Sequence, residues 1–267
     1  MSNKVLIIGG SGYLGSTLSS FLLNNTDYRV DVIDNLFYKQ NSLNLNCKYK
    51  KFNFEFGDFT DFDYIKRKIS QYDIIIPLAA IVGAPACNLQ PSYTKLLNYD
   101  SYLNLSKNLS KDQLLIFPTT NSGYGVGGKN KVTEKSPLNP ISSYAKFKNK
   151  IEKVFLENNN VVSLRLATVF GVSPRMRDDL LVNDFVKKSC NDGYIVLFQE
   201  NFRRNFIHVI DVAKTFHFSI LNFHKMKNQS YNVGLSSANL TKIQLANKIK
   251  KYIPNLQILS SNYTEDP

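Results

Sequence analysis

Residues 4–15 read KVLIIGGSGYLG, an apolar run that stops at clustered glycines and resumes as a helical pattern. Continuous apolar character is what a strand buried on both faces requires. Gly9, Gly12 and Gly15 are spaced by three, and Gly10, Gly12 and Gly15 also satisfy G-x-G-x-x-G. Such glycines let the turn close, let backbone N–H groups approach a pyrophosphate, and let the next helix press against the strand. Leu14, Leu18, Phe21 and Leu22 then recur at helical spacing. Strand, glycine turn and amphipathic helix together predict the opening unit of a parallel α/β sheet that holds a dinucleotide.

The later runs extend this unit. A second strand, Arg29 to Ile33, ends in Asp34, roughly 20 residues after the glycines, where an acid takes ribose hydroxyls. An acid there repels the extra phosphate of NADP, and no arginine follows it closely, so NAD is the preferred cofactor. A third strand, about Asn53 to Phe56, ends in Gly57-Asp58; Asp58 can meet the adenine ring or cap a helix. A fourth, Asp73 to Pro77, runs into Leu78-Ala79-Ala80, small residues suited to a flat cofactor. The helix around Ser92 to Leu109 carries Leu96, Leu97, Leu103 and Leu105, with Asn98 as its polar exception. Tyr13, Leu14, Asn35 and Asn98 join the glycines, Asp34, Asp58 and the Leu-Ala-Ala run as cofactor candidates.

Leu114 to Lys148 carries the chemistry. Leu114 to Pro118 reads as a buried strand, with Thr119 and Thr120 at its end and the glycine-rich loop Gly123 to Gly128 beyond. Ser142-Ser143 precedes Tyr144, and Lys148 follows one helical turn later. A tyrosine and lysine four apart share a helix face, and a nearby ammonium lowers a phenol's pKa towards the working pH. A hydroxyl at a strand end can bond the same substrate oxygen. Thr120, Tyr144 and Lys148 are therefore the catalytic candidates, for removing an alcohol proton while a hydride leaves the same carbon. Tyr-x-x-x-Lys alone is weak: with 15 tyrosines the chain holds a second pair, Tyr64 and Lys68, which has no hydroxyl-ended strand before it and reads as surface.

A sixth strand, Val161 to Leu166, completes an alternation that implies an α/β, Rossmann-type doubly wound parallel sheet over residues 1–167. Beyond Thr168 the pattern changes, and residues 168–267 read as a small substrate-binding lobe over the sheet's carboxyl edge. It contains the loop GVSPRMR with Arg175, a helix from about Asp179, and the paired arginines of FRRNFIHVID. A guanidinium fork suits a diphosphate. The three histidines have no carboxylate or cysteine at ligand spacing, so no metal site is expected.

Composition excludes several classes. The three cysteines, Cys47, Cys87 and Cys190, form no C-x-x-C and suit a reduced cytoplasmic protein. No apolar run approaches a membrane span. The net charge of +12 invites a nucleic-acid reading, yet the lysines are scattered. Solvated surface charge that also suits an anionic substrate is the better account.

With these motifs in place, the chain resembles the extended short-chain dehydrogenase/reductase family of NAD-dependent nucleotide-sugar epimerases and dehydratases. GGSGYLG, Asp34-Asn35, Gly57-Asp58, TTNSGYG, Tyr144-x-x-x-Lys148, RLATVFG and RRNFIHVID carry the resemblance, from Val5 to Pro254. Within it, IIIPLAAIVGAPACN and RLATVFGVSPRMRDDLLVNDF look most like bacterial GDP-heptose 4-dehydrogenases of capsule biosynthesis. That likeness implies oxidation at carbon 4 of a nucleotide sugar, with a 4-epimerase as the alternative. A non-catalytic regulatory or RNA-binding relative has no need of the Thr-Tyr-Lys set. The likeness also implies Asn121 and Ser122 facing the sugar, Asn183 and Arg204 meeting the diphosphate, Thr168 and Arg175 near the substrate, and a homodimer through the Ser92–Leu109 and Tyr144–Leu156 helices. Pro77 stands where the family has histidine, and Asn121-Ser122 where 4,6-dehydratases have Asp-Glu, which argues against dehydration. Family members continue past Thr264–Pro267, so part of the lobe is expected to lie beyond this sequence.

Overall fold

Alternation within the first strand decides the layering. In β1 (Lys4–Ile8) Val5 and Ile7 face one side and Leu6 and Ile8 the other, and all four are buried. The structure is a computed structural model describing residues 3–39, 41–126 and 132–261. Gly127, Gly128 and Thr264–Pro267 lie outside the described residues.

In chain order, β1 leads through the glycine turn to α1 (Tyr13–Asn25), β2 (Arg29–Asp34), β3 (Phe52–Phe56), α2 (Phe62–Ile69) and β4 (Ile74–Pro77). Then come α3 (Ala84–Leu89), α4 (Pro91–Lys95), a π-helical turn (Leu96–Asp100) and α5 (Ser101–Asn108). β5 (Leu114–Thr120), α6 (Ser143–Asn158) and β6 (Val161–Leu166) follow. The helix expected as one piece from Ser92 is thus interrupted: the Ser101 N–H and Oγ both donate to Leu96 O, which wraps one extra residue into that turn.

Beyond β6 the chain forms β7 (Thr168–Phe170), α7 (Leu181–Asn191), β8 (Tyr194–Leu197), β9 (Arg203–His208), α8 (Val209–Leu221) and α9 (Phe223–Met226). β10 (Gln229–Val233), β11 (Asn239–Thr241), α10 (Lys242–Lys250) and β12 (Gln257–Ser260) complete it. The main sheet has seven parallel strands in the order β10-β6-β5-β4-β1-β2-β3. Strand order reverses between β1 and β4, and ligands of open α/β sheets bind at such a point. α1 and α8 cover one face, while α2, α5 and α6 cover the other.

The seventh strand comes from beyond residue 168. β10 returns beside β6, so the 168–267 segment supplies both a sheet strand and a sheet-covering helix. The remainder makes a three-stranded sheet, β11-β9-β7, and a pair, β12-β8. Around them α7 and α10 close a separate cluster of Val182, Phe185, Ile195, Leu197, Leu245 and Ile249.

A buried ion pair fastens α6 to the sheet. The Arg165 side chain donates three bonds of 2.8 to 3.1 Å to the Glu152 carboxylate, and the two side chains are 8% and 2% exposed. Ser163 and Ser230 hydroxyls also reach Glu152, and Arg165 Nη1 donates to the Tyr124 hydroxyl at 2.8 Å. Removing one partner of such a pair leaves a bare buried charge. Glu152→Gln should therefore cost about 3–5 kcal/mol in urea unfolding, with much of it recovered in Glu152→Leu/Arg165→Leu. A loss below about 1 kcal/mol would refute the structural role assigned to this pair.

Candidate active site

The glycine turn is built for close approach. Gly9 has φ +83°, and a Cβ there would lie 2.5 Å from the Ala79 nitrogen. Leu78 and Ala79 donate to the Ile8 carbonyl at 2.7 and 2.9 Å, which holds them against the turn. Gly12 caps α1 without a side-chain bond, leaving first-turn N–H groups for an anion. Asp34, at the end of β2, accepts from the backbone N–H groups of Ser11 and Leu36 at 2.9 and 2.7 Å. Burial pushes its carboxyl up against those bonds. Asn35 donates to Asp58 at 3.0 Å. Burial opposes ionisation of Asp58, but its bonds from Thr60 and Asn35 outweigh this and hold it low.

These residues line one half of a cleft, with Phe37, Tyr38, Phe59 and Tyr93 opposite. The Ser11 hydroxyl, in a residue 7% exposed, has no partner among the described residues. An orphaned donor beside a carboxylate and free helix N–H groups fits the sugar-phosphate part of a dinucleotide.

The other half holds Thr120, Tyr144 and Lys148 in one cavity with Tyr13, Leu14, Gly15 and Thr168. Gly9, Gly12, Tyr38, Leu78 and Ala80 border both halves. Thr120 ends β5, and its hydroxyl caps the turn Asn121–Tyr124 by accepting from Ser122 N. Ser142 caps α6, which sets Tyr144 in the first turn and Lys148 one turn on.

Among the described residues Lys148 has no carboxylate partner. It donates to Pro118 O at 3.1 Å and to the Tyr102 hydroxyl at 3.5 Å, and its Nζ lies 4.8 and 4.7 Å from the Tyr102 and Phe117 ring centres. Burial lowers its pKa to about 7. The Tyr144 phenol moves the opposite way from the sequence expectation. Burial raises it, Arg177 pulls it partly back, and Cys87 adds to the rise. The ring centre is 6.0 Å from Lys148 Nζ, and desolvation of the phenolate outweighs that neighbour in the protein alone.

The other candidates divide. Asn98 is fully buried behind the cleft wall, clamping Ile81 through Ile81 N–H to Oδ1 at 2.9 Å and Nδ2 to Ile81 O at 2.8 Å. Asn183 is spent on Gly171 N, Arg177 O and the Tyr13 hydroxyl, so it braces the loop after β7. Asn121 lines a neighbouring polar cavity with Arg165, Asn205 and Asn232, and Ser122 is exposed; neither lines the Tyr144 cavity. Arg204 is exposed on β9 with its guanidinium 5.3 Å from the Phe202 ring centre, outside both halves of the cleft. Thr168 and Arg175 do line the cavity. The second pair, Tyr64 and Lys68, sits elsewhere: Lys68 bridges to Glu55 and the Tyr64 ring covers Gly57. His208 accepts from Ile210 N as the cap of α8. Among the described residues no cluster of His, Cys, Asp and Glu could hold a metal, and no helix could cross a membrane.

Sequence reasoning missed Tyr38, Ser11 and Tyr102. Ser11 lies inside the glycine motif and Tyr38 three residues after Asn35; Tyr102 carries no motif signal at all.

The lowered Lys148 pKa makes a testable stability term. The unfolded lysine, near 10.5, stays protonated where the folded one does not, so stability rises with pH between about 7 and 10.5. Lys148→Met removes that term. Its stability gain over the parent should be level below pH 7 and shrink by roughly 1–2 kcal/mol by pH 9 in paired denaturant melts. A gap that stays constant from pH 6 to 9 would contradict it.

Several known proteins are similar to this chain. The family model described as NAD dependent epimerase/dehydratase family matches residues 5–234. A Methanocaldococcus jannaschii protein assigned as a UDP-glucose 4-epimerase is 27% identical over 86% of this chain and 76% of its own length. A dTDP-D-glucose 4,6-dehydratase of Dictyostelium discoideum is 26% identical over 92% of this chain and 61% of its own length. The UDP-N-acetylglucosamine 4-epimerase of Methanobrevibacter ruminantium M1, solved with UDP-N-acetylmuramic acid, superposes with a TM-score of 0.85 at 25% identity, over 100% of this chain and 86% of that one. Because the family match takes in the glycine turn, β5 and the Tyr144 helix together, this chain belongs to the NAD dependent epimerase/dehydratase family.

Proposed function

We propose that this chain oxidises carbon 4 of a nucleoside-diphosphate sugar. The observation that carries the reading is the single cavity in which Thr120, Tyr144 and Lys148 meet the glycine turn. NAD, the cofactor of the family, supplies the hydride acceptor when bound. Tyr144, as its phenolate, takes the hydroxyl proton and becomes the neutral phenol. Thr120 bonds the same oxygen and holds it, and Lys148, in its protonated form, stabilises the phenolate that exists before the transfer. Arg177, which draws the phenol's pKa down against its burial, adds positive charge near the same group. Asn121-Ser122 offers no acid–base pair for eliminating water, so the reaction stops short of dehydration.

Two outcomes share that oxidation. The motif likeness favours a GDP-heptose 4-dehydrogenase, made in the cytoplasm for surface polysaccharide. The 4-epimerases among the relatives favour return of the hydride to the opposite face. Asn183 and Arg204, placed by likeness at the diphosphate, would need to rearrange to reach the cavity. Product analysis by NMR with GDP- and UDP-sugars decides between the outcomes. A keto sugar with accumulating NADH supports the dehydrogenase; an inverted alcohol without net NADH supports the epimerase. Tyr144→Phe should lose on the order of 10²–10⁴-fold in turnover while still binding NAD. Retention of most activity would overturn the assignment of Tyr144.

The same reading makes the protein a homodimer. α5 and α6 lie side by side with Tyr99, Leu103, Phe147 and Leu156 only partly buried, and Tyr99 stacks on Phe147 at 5.6 Å. Pairing these helices with a second copy covers that stripe. Light scattering at micromolar concentration should give twice the chain mass, and Phe147→Glu should give the single mass.

A further inference from the structure

Arg175 reaches the cleft from the loop after β7, far in sequence from the residues it joins. Its guanidinium carbon lies 4.0 Å from the Tyr38 ring centre. Its Nε is buried and has no hydrogen-bond partner among the described residues. An unmet guanidinium donor is costly in a protein interior, and it points to a ligand that completes it. Arg177, two residues on, is already paired with Asp179.

The position of the stack identifies that ligand. Tyr38 borders both halves of the cleft, as do Gly9 and Gly12 at the start of α1. One half carries Asp34 and Asp58, the other Tyr144 and Lys148. A dinucleotide spanning both halves has its diphosphate at their junction. The α1 N-terminus supplies only about half a positive charge there, against a doubly charged group. A guanidinium fork opposite would supply the remainder with directed donors.

Both carriers of the stack are held in place. The Tyr13 hydroxyl donates to Gly171 O at 2.7 Å, and the Ser173 hydroxyl donates to Tyr13 O at 2.6 Å, which rivets the Arg175 loop onto the start of α1. Tyr38 lies between Leu36 and Lys39, both non-glycine residues with left-handed φ of 52° and 53°. Such backbone persists where the surroundings over-determine it, often at ligand clamps.

We propose that Arg175 and Tyr38 form a clasp across the cofactor cleft, in which the Arg175 guanidinium donates to the diphosphate of the bound dinucleotide. Arg175 thereby belongs to the cofactor rather than to the sugar nucleotide. The inference rests on the dinucleotide lying in this cleft, and Asp34 tests that placement separately.

Calorimetric titrations with NAD, ADP, adenosine, UDP and GDP on the full chain test the clasp. In Arg175→Gln, NAD and ADP should bind about tenfold or more weaker, as expected for lost charge-assisted bonds, while adenosine, UDP and GDP keep their affinity. Arg175→Lys, which retains charge without the fork, should fall between; it serves as the readout if Arg175→Gln melts early without ligand. Unchanged NAD and ADP affinity in both variants overturns the clasp. So does a loss confined to UDP or GDP, which would return Arg175 to the substrate, or an equal loss for adenosine, which would make its role packing on Tyr38. If Asp34→Ala leaves NAD and adenosine binding intact, the placement of the dinucleotide fails and the clasp with it. If Asp34→Ala weakens both and Arg175→Gln changes nothing, only the clasp fails.

Discussion

Glu152 and Arg165 meet where water does not reach, and the position of the Tyr144 helix follows from that meeting. Arg165 lies in β6 and Glu152 in α6, so each bond between them sets the helix against the sheet. The same guanidinium holds Tyr124, which lies in the turn capped by Thr120 and itself donates to Asn232 in β10. One buried charge pair therefore ties together the hydroxyl-ended strand, the Tyr-Lys helix and the last strand of the sheet. An apolar replacement of equal volume could supply similar stability, but it would not aim Thr120 and Tyr144 at one point.

Around Lys148 the electrostatics are set by exclusion of water rather than by a counter-charge. Two aromatic faces and a backbone carbonyl surround the ammonium. The Tyr102 hydroxyl donates to Ala79 O, which leaves its oxygen free to accept from Lys148. The cleft wall at Ala79 and the lysine are thus joined through one phenol. Burial opposes charge on both Tyr144 and Lys148, so the protein alone keeps phenol and amine closer to neutrality than their sequence spacing suggests.

Local signals made most of the sheet legible. β1, β4, β5 and β6 read as strands because burial on both faces demands apolar-rich runs, and β2 from its valines and isoleucine between charged residues. β10 escaped because QSYNV sits at the sheet edge and carries polar residues on a half-covered face. The π turn before α5 was invisible because one extra residue in a turn leaves composition unchanged. Thr120, Tyr144 and Lys148 were legible from order along the chain. Asn98 stood out as the polar exception of its helix and Asn183 as a diphosphate contact by likeness, but neither was legible as a brace, since only tertiary contact reveals that their amides bond backbone. Arg175 and Tyr38 meet through space alone, and nothing in their spacing announces it.

The return of β10 bears on how the chain reaches its native state. Until Gln229–Val233 is available, β6 presents an unpaired parallel edge, and the intervening segment has already been synthesised. An exposed edge of this kind invites pairing with another chain. β10, the strand that completes the main sheet, therefore also caps an edge that the first 228 residues leave open.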